Sequence, residues 1–282
     1  MKTQAVHGYD DDTYGESFAD VYDDWYADVS DAAAMVALVE AEARAAAQRS
    51  GGDPPVAVEL GVGTGRLAVP LSLTGVAVVG IDTSAAMLER LSAKSAAAGT
   101  AVRAVRGDMV DELAGLAGQP CHAVFVAYNT LFSLPTPERQ QGCFDAAASV
   151  LMPGGCFIVE AFVPAEPDGG PRAGGDGGSQ AASRRSATVG VRSVAADRVV
   201  LRVDVADPSA QRAEGQYVEI TESGGIRLRP WSIRWSTPAQ LDEMAGRAGL
   251  RLRQRHADAS GSPFDADSDR HVSLYERPGE PA

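Results

Sequence analysis

Val56-Ala57-Val58-Glu59-Leu60-Gly61-Val62-Gly63-Thr64-Gly65-Arg66-Leu67 decides how the rest of this chain is read. A short apolar strand ends in an acid, three glycines follow at alternate positions, and a helix begins. Such an arrangement brings bare backbone close to a ligand at the carboxyl end of a strand. Glycine suits it because a Cβ would block the approach and because tight turns call for positive φ. Glu59 carries as much information as the glycines. A carboxylate beside a Gly-rich turn suits a ligand with positive charge and repels phosphates. The dinucleotide fingerprint is G-x-G-x-x-G, with pyrophosphate on the helix N-terminus. Here the spacing is G-x-G-x-G, with the acid two residues ahead. A Gly-rich turn that binds nothing is the bland alternative.

Working outward, Val76 to Asp82 is a second apolar strand that also ends in an acid. In nucleotide-binding α/β folds a carboxylate there accepts hydrogen bonds from ribose hydroxyls. Thr83-Ser84 offers a helix N-cap, and the helix Ala85 to Ala98 carries Met87, Leu88 and Leu91 on one face before Gly99 stops it. A third strand, Val102 to Val105, leads into Gly107-Asp108-Met109. The fourth, Ala123 to Ala127, leads into Tyr128-Asn129-Thr130-Leu131-Phe132. The fifth, Cys156 to Val159, follows Leu151-Met152-Pro153-Gly154-Gly155.

In content and in order, these landmarks resemble the class I S-adenosylmethionine (SAM)-dependent methyltransferases, over roughly Val56 to Phe162. The resemblance implies an α/β fold: a Rossmann-like, doubly wound, mainly parallel sheet. It implies SAM as cofactor. Gly61, Gly63 and Gly65 would line its methionine part, with Glu59 orienting the loop on the ammonium or sulfonium side. Asp82 would bind the ribose hydroxyls. Asp108 and Met109 would hold adenine, with Met87 on the ring's other face, and Asn129 would sit where cofactor and acceptor meet. For Asp82 and Asp108, plain capping or turn formation is the alternative.

The chain has 282 residues, 45% of them hydrophobic, enough for a sizeable core. Its net charge of 25 − 38 = −13 argues against nucleic acid as partner, since neutralising phosphates supplies much of that affinity. Three scattered cysteines with no C-x-x-C pair support no metal site. No apolar leader and no run long enough to span a membrane is visible, which fits a cytoplasmic protein.

Residues 1 to about 17 carry Asp10-Asp11-Asp12 and read as a mobile tail. Phe18, Val21, Tyr22, Trp25 and Tyr26 then recur at helical spacing. Core packing explains such a stripe. A lid would do so too, and it would bring Tyr22 to the cofactor and Tyr26 to the acceptor. Asp31 to Gln48 is an Ala-rich helix. Thr136-Pro137-Glu138 starts another, running to about Val150. Pro164 to Arg185 is Gly- and Pro-rich and reads as a flexible loop. Alternating segments at Thr188–Val194, Val199–Val205, Tyr217–Thr221 and Ile226–Trp235 predict an inserted antiparallel β cap. Thr237-Pro238-Ala239-Gln240 gives a capping box, and Leu250–His256 and Arg270–Tyr275 would be the last strands. The chain thus divides into a tail and lid helices (1–50), a SAM-binding core (51–163), the loop and inserted sheet (164–236), and a helix and strands completing the core sheet (237–282).

Methyl transfer from a sulfonium needs mainly in-line positioning, which can supply ~7–11 kcal/mol. An amine acceptor of low enough pKa needs no base, whereas a hydroxyl gains from one. No catalytic dyad is expected. Among histidines, His122 reads as a surface residue at the wrong end of the sheet, and His7 lies in the tail. His256 and His271 could reach an acceptor, though core or edge histidines are commoner. Trp231 and Trp235 could wall its pocket or simply pack their sheet. The Ala19-Asp20-Val21-Tyr22 helix, the Asn129 stretch and the inserted sheet look like bacterial small-molecule methyltransferases, some of which act on amino sugars and other secondary metabolites. There is no Asn/Asp-Pro-Pro-Tyr/Phe after the fourth strand, so methylation of nucleic-acid bases is not expected. An NAD(P)-dependent oxidoreductase and a non-catalytic SAM-binding protein stay open as alternatives. Oligomeric state is not legible.

Overall fold

The computed structural model describes residues 8–27, 29–164 and 185–279. His7 and most of the Gly- and Pro-rich stretch expected as a loop lie outside the described residues.

Five strands alternate with helices: β1 (Val56–Leu60), β2 (Ala77–Asp82), β3 (Val102–Arg106), β4 (Cys121–Val126) and β5 (Leu151–Phe162). Two later strands, β10 (Arg251–His256) and β11 (Arg270–Glu276), return to the same sheet. Its order is β10-β11-β5-β4-β1-β2-β3. The first five strands run parallel, and β11 enters antiparallel to β5. The expected Rossmann-like, mainly parallel sheet is therefore present. Its order reverses between β1 and β4, and ligands bind outside the carboxyl ends of strands at such a switch point.

Helices cover both faces because the central strands are apolar on both, as parallel sheets require. One face packs on α3 (Ala32–Arg49), α4 (Ala68–Leu73) and α5 (Ala85–Ala97). The other packs on α6 (Met109–Ala114), α7 (Pro137–Val150) and α8 (Pro238–Arg247). Caps set where these helices begin. Asp31 accepts from Ala34 N, Ser84 from Met87 N, and Thr136 from Arg139 N. Thr237 and Gln240 form the reciprocal capping box that the sequence predicts for α8.

A second sheet, order β6-β7-β8-β9, is wholly antiparallel: β6 (Ser186–Val194), β7 (Arg198–Asp207), β8 (Arg212–Thr221) and β9 (Ile226–Arg234).

Three expectations need correction. The tail does not extend to residue 17. Helix α1 (Thr13–Phe18) is seated on the core, where Gly15 allows a contact that any Cβ would obstruct, at 2.3 Å from Ser84 Cβ. The aromatic stripe is not one helix, because the chain breaks between α1 and α2 (Tyr22–Trp25). His122 is not a surface residue. It is fully buried at the N-terminal end of β4, where Nδ1 accepts from Val56 N and Nε2 meets Ser50 Oγ. Burial holds its pKa below the ordinary value. It ties α3, β1 and β4 together, far from the carboxyl ends of the strands.

Candidate functional site

Acids end the strands where the sheet order reverses. Glu59 is the fourth residue of β1 and is buried, with Oε2 lacking any hydrogen-bond partner among the described residues. Burial pushes its pKa up to about 8, against the opposing influence of Arg66 and the Ala68 backbone. A carboxylate held this way is costly without a cation to face.

Asp82, at the end of β2, holds the turn in shape. Its Oδ2 accepts from Gly63 N at 2.9 Å and its Oδ1 from Ser84 N at 2.9 Å. Burial raises its pKa, while the Ser84 and Gly63 amides oppose the rise. One carboxylate thus fastens the Gly-rich turn to the start of α5.

The three glycines serve different ends. All have positive φ: +66° at Gly61, +54° at Gly63 and +83° at Gly65. At Gly61 an added Cβ would lie 2.3 Å from Thr130 Cγ2, and at Gly65 2.3 Å from Leu91 Cδ1. Their bareness lets protein pack on protein. Gly63 alone has room, bounded by Tyr22 Cε1 at 3.8 Å and Met87 Sδ at 4.0 Å. The cradle therefore centres on Gly63.

Asp108 caps α6, accepting from Val110 N at 2.8 Å and Asp111 N at 3.1 Å, and it also pairs with Arg139. The capping role weighed against adenine binding is thus present in the structure. Met109 opens the same helix. Tyr128 and Asn129 follow β4 with φ of +44° and +68°, a strained pair of non-glycine residues. Asn129 is tied back to β5, with its N donating to Glu160 O and its Oδ1 accepting from Phe162 N. Tyr128 N donates to Glu160 Oε2 at 2.9 Å.

Glu160 was missed by the sequence reading. It is buried near the end of β5, with its pKa raised by burial against Tyr128 N, Arg66 and Arg270. The signal was present: a lone acid inside Cys156-Phe157-Ile158-Val159-Glu160-Ala161-Phe162 repeats what Glu59 does in its own strand.

The N-terminal segment closes over the turn. Thr64 Oγ1 donates to Asp23 Oδ1 at 2.6 Å, and Lys94 Nζ donates to both. Ser84 Oγ and Ala86 N donate to Glu16 Oε1. Tyr22 is enclosed with Glu59, Asp82, Arg66 and Tyr128 around it, and burial lifts its pKa to about 12. Tyr26 stacks on Tyr22 with ring centroids 4.9 Å apart and meets Tyr128 edge-on at 6.0 Å. A packed aromatic cluster of Phe18, Trp25 and Tyr217 joins this segment to the second sheet.

Other candidates stand elsewhere. Trp231 lies in β9 beneath Arg202, 5.0 Å from its ring, and Trp235 packs beside the main core. His256 is at the end of the edge strand β10, four strands from β1, hence roughly 19 Å away at ~4.8 Å per strand. His271 is the second residue of β11 and is fully buried, with Nδ1 on Ser273 Oγ at 2.8 Å. Its burial, reinforced by Arg255, drops its pKa to about 3. Among the described residues no group of His, Cys, Asp and Glu could hold a metal ion, and no helix is long and apolar enough to cross a membrane.

The turn fits a cationic adenosyl ligand: an orphaned buried carboxylate oxygen, a bare backbone cradle at Gly63, and a sulfur and a ring beside it. Comparisons with known proteins agree. The family described as "Methyltransferase domain" matches residues 57–155. The solved structure of the CcbJ methyltransferase from Streptomyces caelestis is 37% identical, covering 96% of this chain and 100% of that one, with a TM-score of 0.78. An S-adenosylmethionine-dependent methyltransferase from Clostridium acetobutylicum shares the fold at 13% identity, with 94% and 99% coverage and a TM-score of 0.69. The sugar N-methyltransferase KedS8 from Streptoalloteichus does so at 17% identity, with 99% and 98% coverage and a TM-score of 0.61. No curated protein matches the chain.

Proposed function

The chain belongs to the SAM-dependent methyltransferases, and from that premise we propose that it methylates an N or O atom of a small-molecule acceptor, mainly by positioning. The observation that carries the reading is Glu59, whose buried, unpartnered oxygen needs a cation. Its family supplies one, and the nicotinamide alternative offers Glu59 only phosphates at the same turn.

When bound, SAM supplies a methyl group on a sulfonium sulfur, which is already an excellent leaving group. In this reading Glu59 binds the positive charge, and Asp82 holds the Gly63 turn against α5 while remaining close to the ribose side. Met87 and Tyr22 wall the cradle. The Asp23–Thr64–Lys94 latch and the Tyr22–Tyr26 stack exclude water, so that the acceptor atom is aligned in a dry site. Asp108, occupied by α6 and Arg139, orders the adenine side and leaves Met109 to pack there. The Tyr128–Asn129 turn, braced by Glu160, fixes the wall between cofactor and acceptor.

An amine is the acceptor this site suits best. An amine whose pKa is low enough to leave it unprotonated brings its own lone pair and needs no base. The sugar N-methyltransferase among the structural neighbours acts on an acceptor of this type, and a secondary metabolite bearing an amino group is the class we propose.

The test is transfer of label from methyl-labelled SAM to a panel of amino sugars, cyclic amines and phenols. Label in the amines supports the reading. Label only in a protein or nucleic acid substrate would overturn it.

A further inference from the structure

In the second sheet, β7 pairs with β8 and β8 with β9 without a break in register. Strand β6 differs. Its pairing with β7 shifts between Val191 and Ser193, so Arg192 is an extra residue with no opposite number. It falls between two rows of one face: Gly190, Arg202, Tyr217 and Arg229, then Ser193, Val200, Glu219 and Arg227. Bulges gather at sheet edges and beside active sites, where they re-aim a side chain. β6 is an edge strand, and its bulge aims Arg192 at the N-terminal segment.

There Arg192 Nη2 donates to Trp25 O at 2.9 Å. The guanidinium carbon lies 4.7 Å from the Trp25 ring centroid, 5.2 Å from that of Tyr217 and 5.5 Å from that of Tyr26. Rings meet the face of a guanidinium, whereas its five N–H donors lie in its plane and stay available. Three rings thus hold this cation in place and consume few of its donors.

Arg229 shows what a purely structural arginine looks like in the same surroundings. Its guanidinium carbon lies 5.4 Å from the same Trp25 ring, it is 1% exposed, and it is matched by Asp20 Oδ1 at 2.6 Å and Glu219 Oε2 at 2.9 Å. Arg192 is half-buried, and among the described residues no carboxylate pairs with it. In a chain with 38 acids against 25 bases, a cation so fixed and so unmatched calls for an anion from outside.

Its place in the fold says which molecule brings that anion. Tyr26, against which Arg192 lies, stacks on Tyr22 at 4.9 Å and meets Tyr128 at 6.0 Å. Tyr22 in turn borders the Gly63 cradle at 3.8 Å. Arg192 therefore stands two aromatic layers from the cradle, on the order of 10 Å at about 5 Å per layer. One small molecule spans that distance. We propose that Arg192 is a specificity-determining residue for the acceptor, binding an oxyanion, carboxylate or phosphate, at the end remote from the amine. The free N–H edge of a guanidinium matches either group in bidentate fashion. The inference rests on the amine transfer proposed above and narrows its acceptor to molecules that carry both groups.

The test is calorimetric titration of the full chain, loaded with S-adenosylhomocysteine, using two matched pairs: prolyl-γ-aminobutyrate against its terminal amide, and glucosamine phosphate against glucosamine. In at least one pair the anionic member should bind at least about tenfold tighter, as expected for hydrogen bonds to a charged group. The pair that responds identifies the oxyanion. Arg192→Gln keeps a donor for Trp25 O and should abolish the difference, with SAM affinity and melting temperature as in the parent. Arg192→Lys restores charge without the planar fork and should recover only part of it. Equal binding within both pairs, no binding in either, or a preference that survives Arg192→Gln would overturn the proposal. Methyl-labelled SAM separates this inference from the reading beneath it. Label in the amines without an anion preference breaks the Arg192 site alone. An anion preference lost in Arg192→Gln, with no label in any amine, upholds the site and breaks the amine transfer.

Discussion

The two sheets of this protein place charge in opposite ways. The seven-stranded sheet is apolar on both faces and puts its acids at strand ends: Glu59 near the end of β1, Asp82 ending β2, Glu160 near the end of β5. The four-stranded sheet turns Arg192, Glu219 and Arg229 towards the N-terminal segment, and its other face is aliphatic at one end and carries Arg212, Glu214 and Arg234 at the other. In the first sheet charge is stationed around the Gly-rich turn, at the carboxyl ends of the strands. In the second it organises the protein itself. A charged residue therefore has meaning only together with the face or end it occupies.

The largest effect that would break this contrast lies in two adjacent residues of β9. Arg229→Met removes the cation between Asp20 and Glu219 and leaves buried acid behind, at a cost of about 3 kcal/mol. Leu228→Lys, one residue earlier and 56% exposed, should change the melting temperature little. Thermal unfolding of the two variants side by side checks this. Similar melting temperatures would mean that the two faces are not different in kind.

A second pair sharpens the reading of the Gly-rich turn. Gly65→Ala forces a Cβ to within 2.3 Å of Leu91 at positive φ, and overpacking alone costs about 1–3 kcal/mol. Gly63→Ala has room, so it should lose less stability, by denaturant unfolding, and more SAM affinity, by titration. Equal behaviour of the two would dissolve the division between packing glycines and the cradle.

Much of this was legible in the sequence, and the reasons differ by region. Strands β1, β2 and β5 of the main sheet could be read because each is an apolar run with an acid at or near its end, and the caps at Ser84, Thr136 and Thr237 are local chemistry. The strands of the second sheet could be read from alternation. Which of their faces turns inward could not, because period two is the same for either face, and only tertiary contacts with Asp20 and Trp25 decide. The seating of α1 was hidden for a similar reason. Gly15 and Glu16 contact Ser84 and its neighbours some seventy positions away, and nothing local announces it. At the candidate site, Asp82 stands out in the sequence by its position at the end of β2, whereas its bonds to Gly63 N and Ser84 N were not foreseeable. Asp108 shows the limit of position: the landmark is where the family places it, and the carboxylate is occupied by a helix N-terminus and Arg139.

A smaller effect concerns Glu59. Glu59→Gln keeps the shape and removes the charge, and should weaken SAM at least tenfold, about 1.4 kcal/mol. The smallest is a pH dependence. The folded pKa of Glu59 lies near 8, above the unfolded value, so the unliganded protein keeps a proton there that the unfolded chain loses. Its stability contribution is full below pH 4.5 and is lost as pH rises towards 8. Between those values the Glu59→Gln protein should lose less stability with rising pH than its parent. Binding of a cation near pH 7 should release a proton from the parent only, seen as a buffer-dependent heat.

The most direct test of the central claim is calorimetric titration of the purified chain with SAM, S-adenosylhomocysteine and NADH. Saturable one-site binding of the first two, weakened in Glu59→Gln, with no heat from NADH, is the predicted result. Binding of NADH at the same site, or SAM affinity indifferent to Glu59, would contradict it.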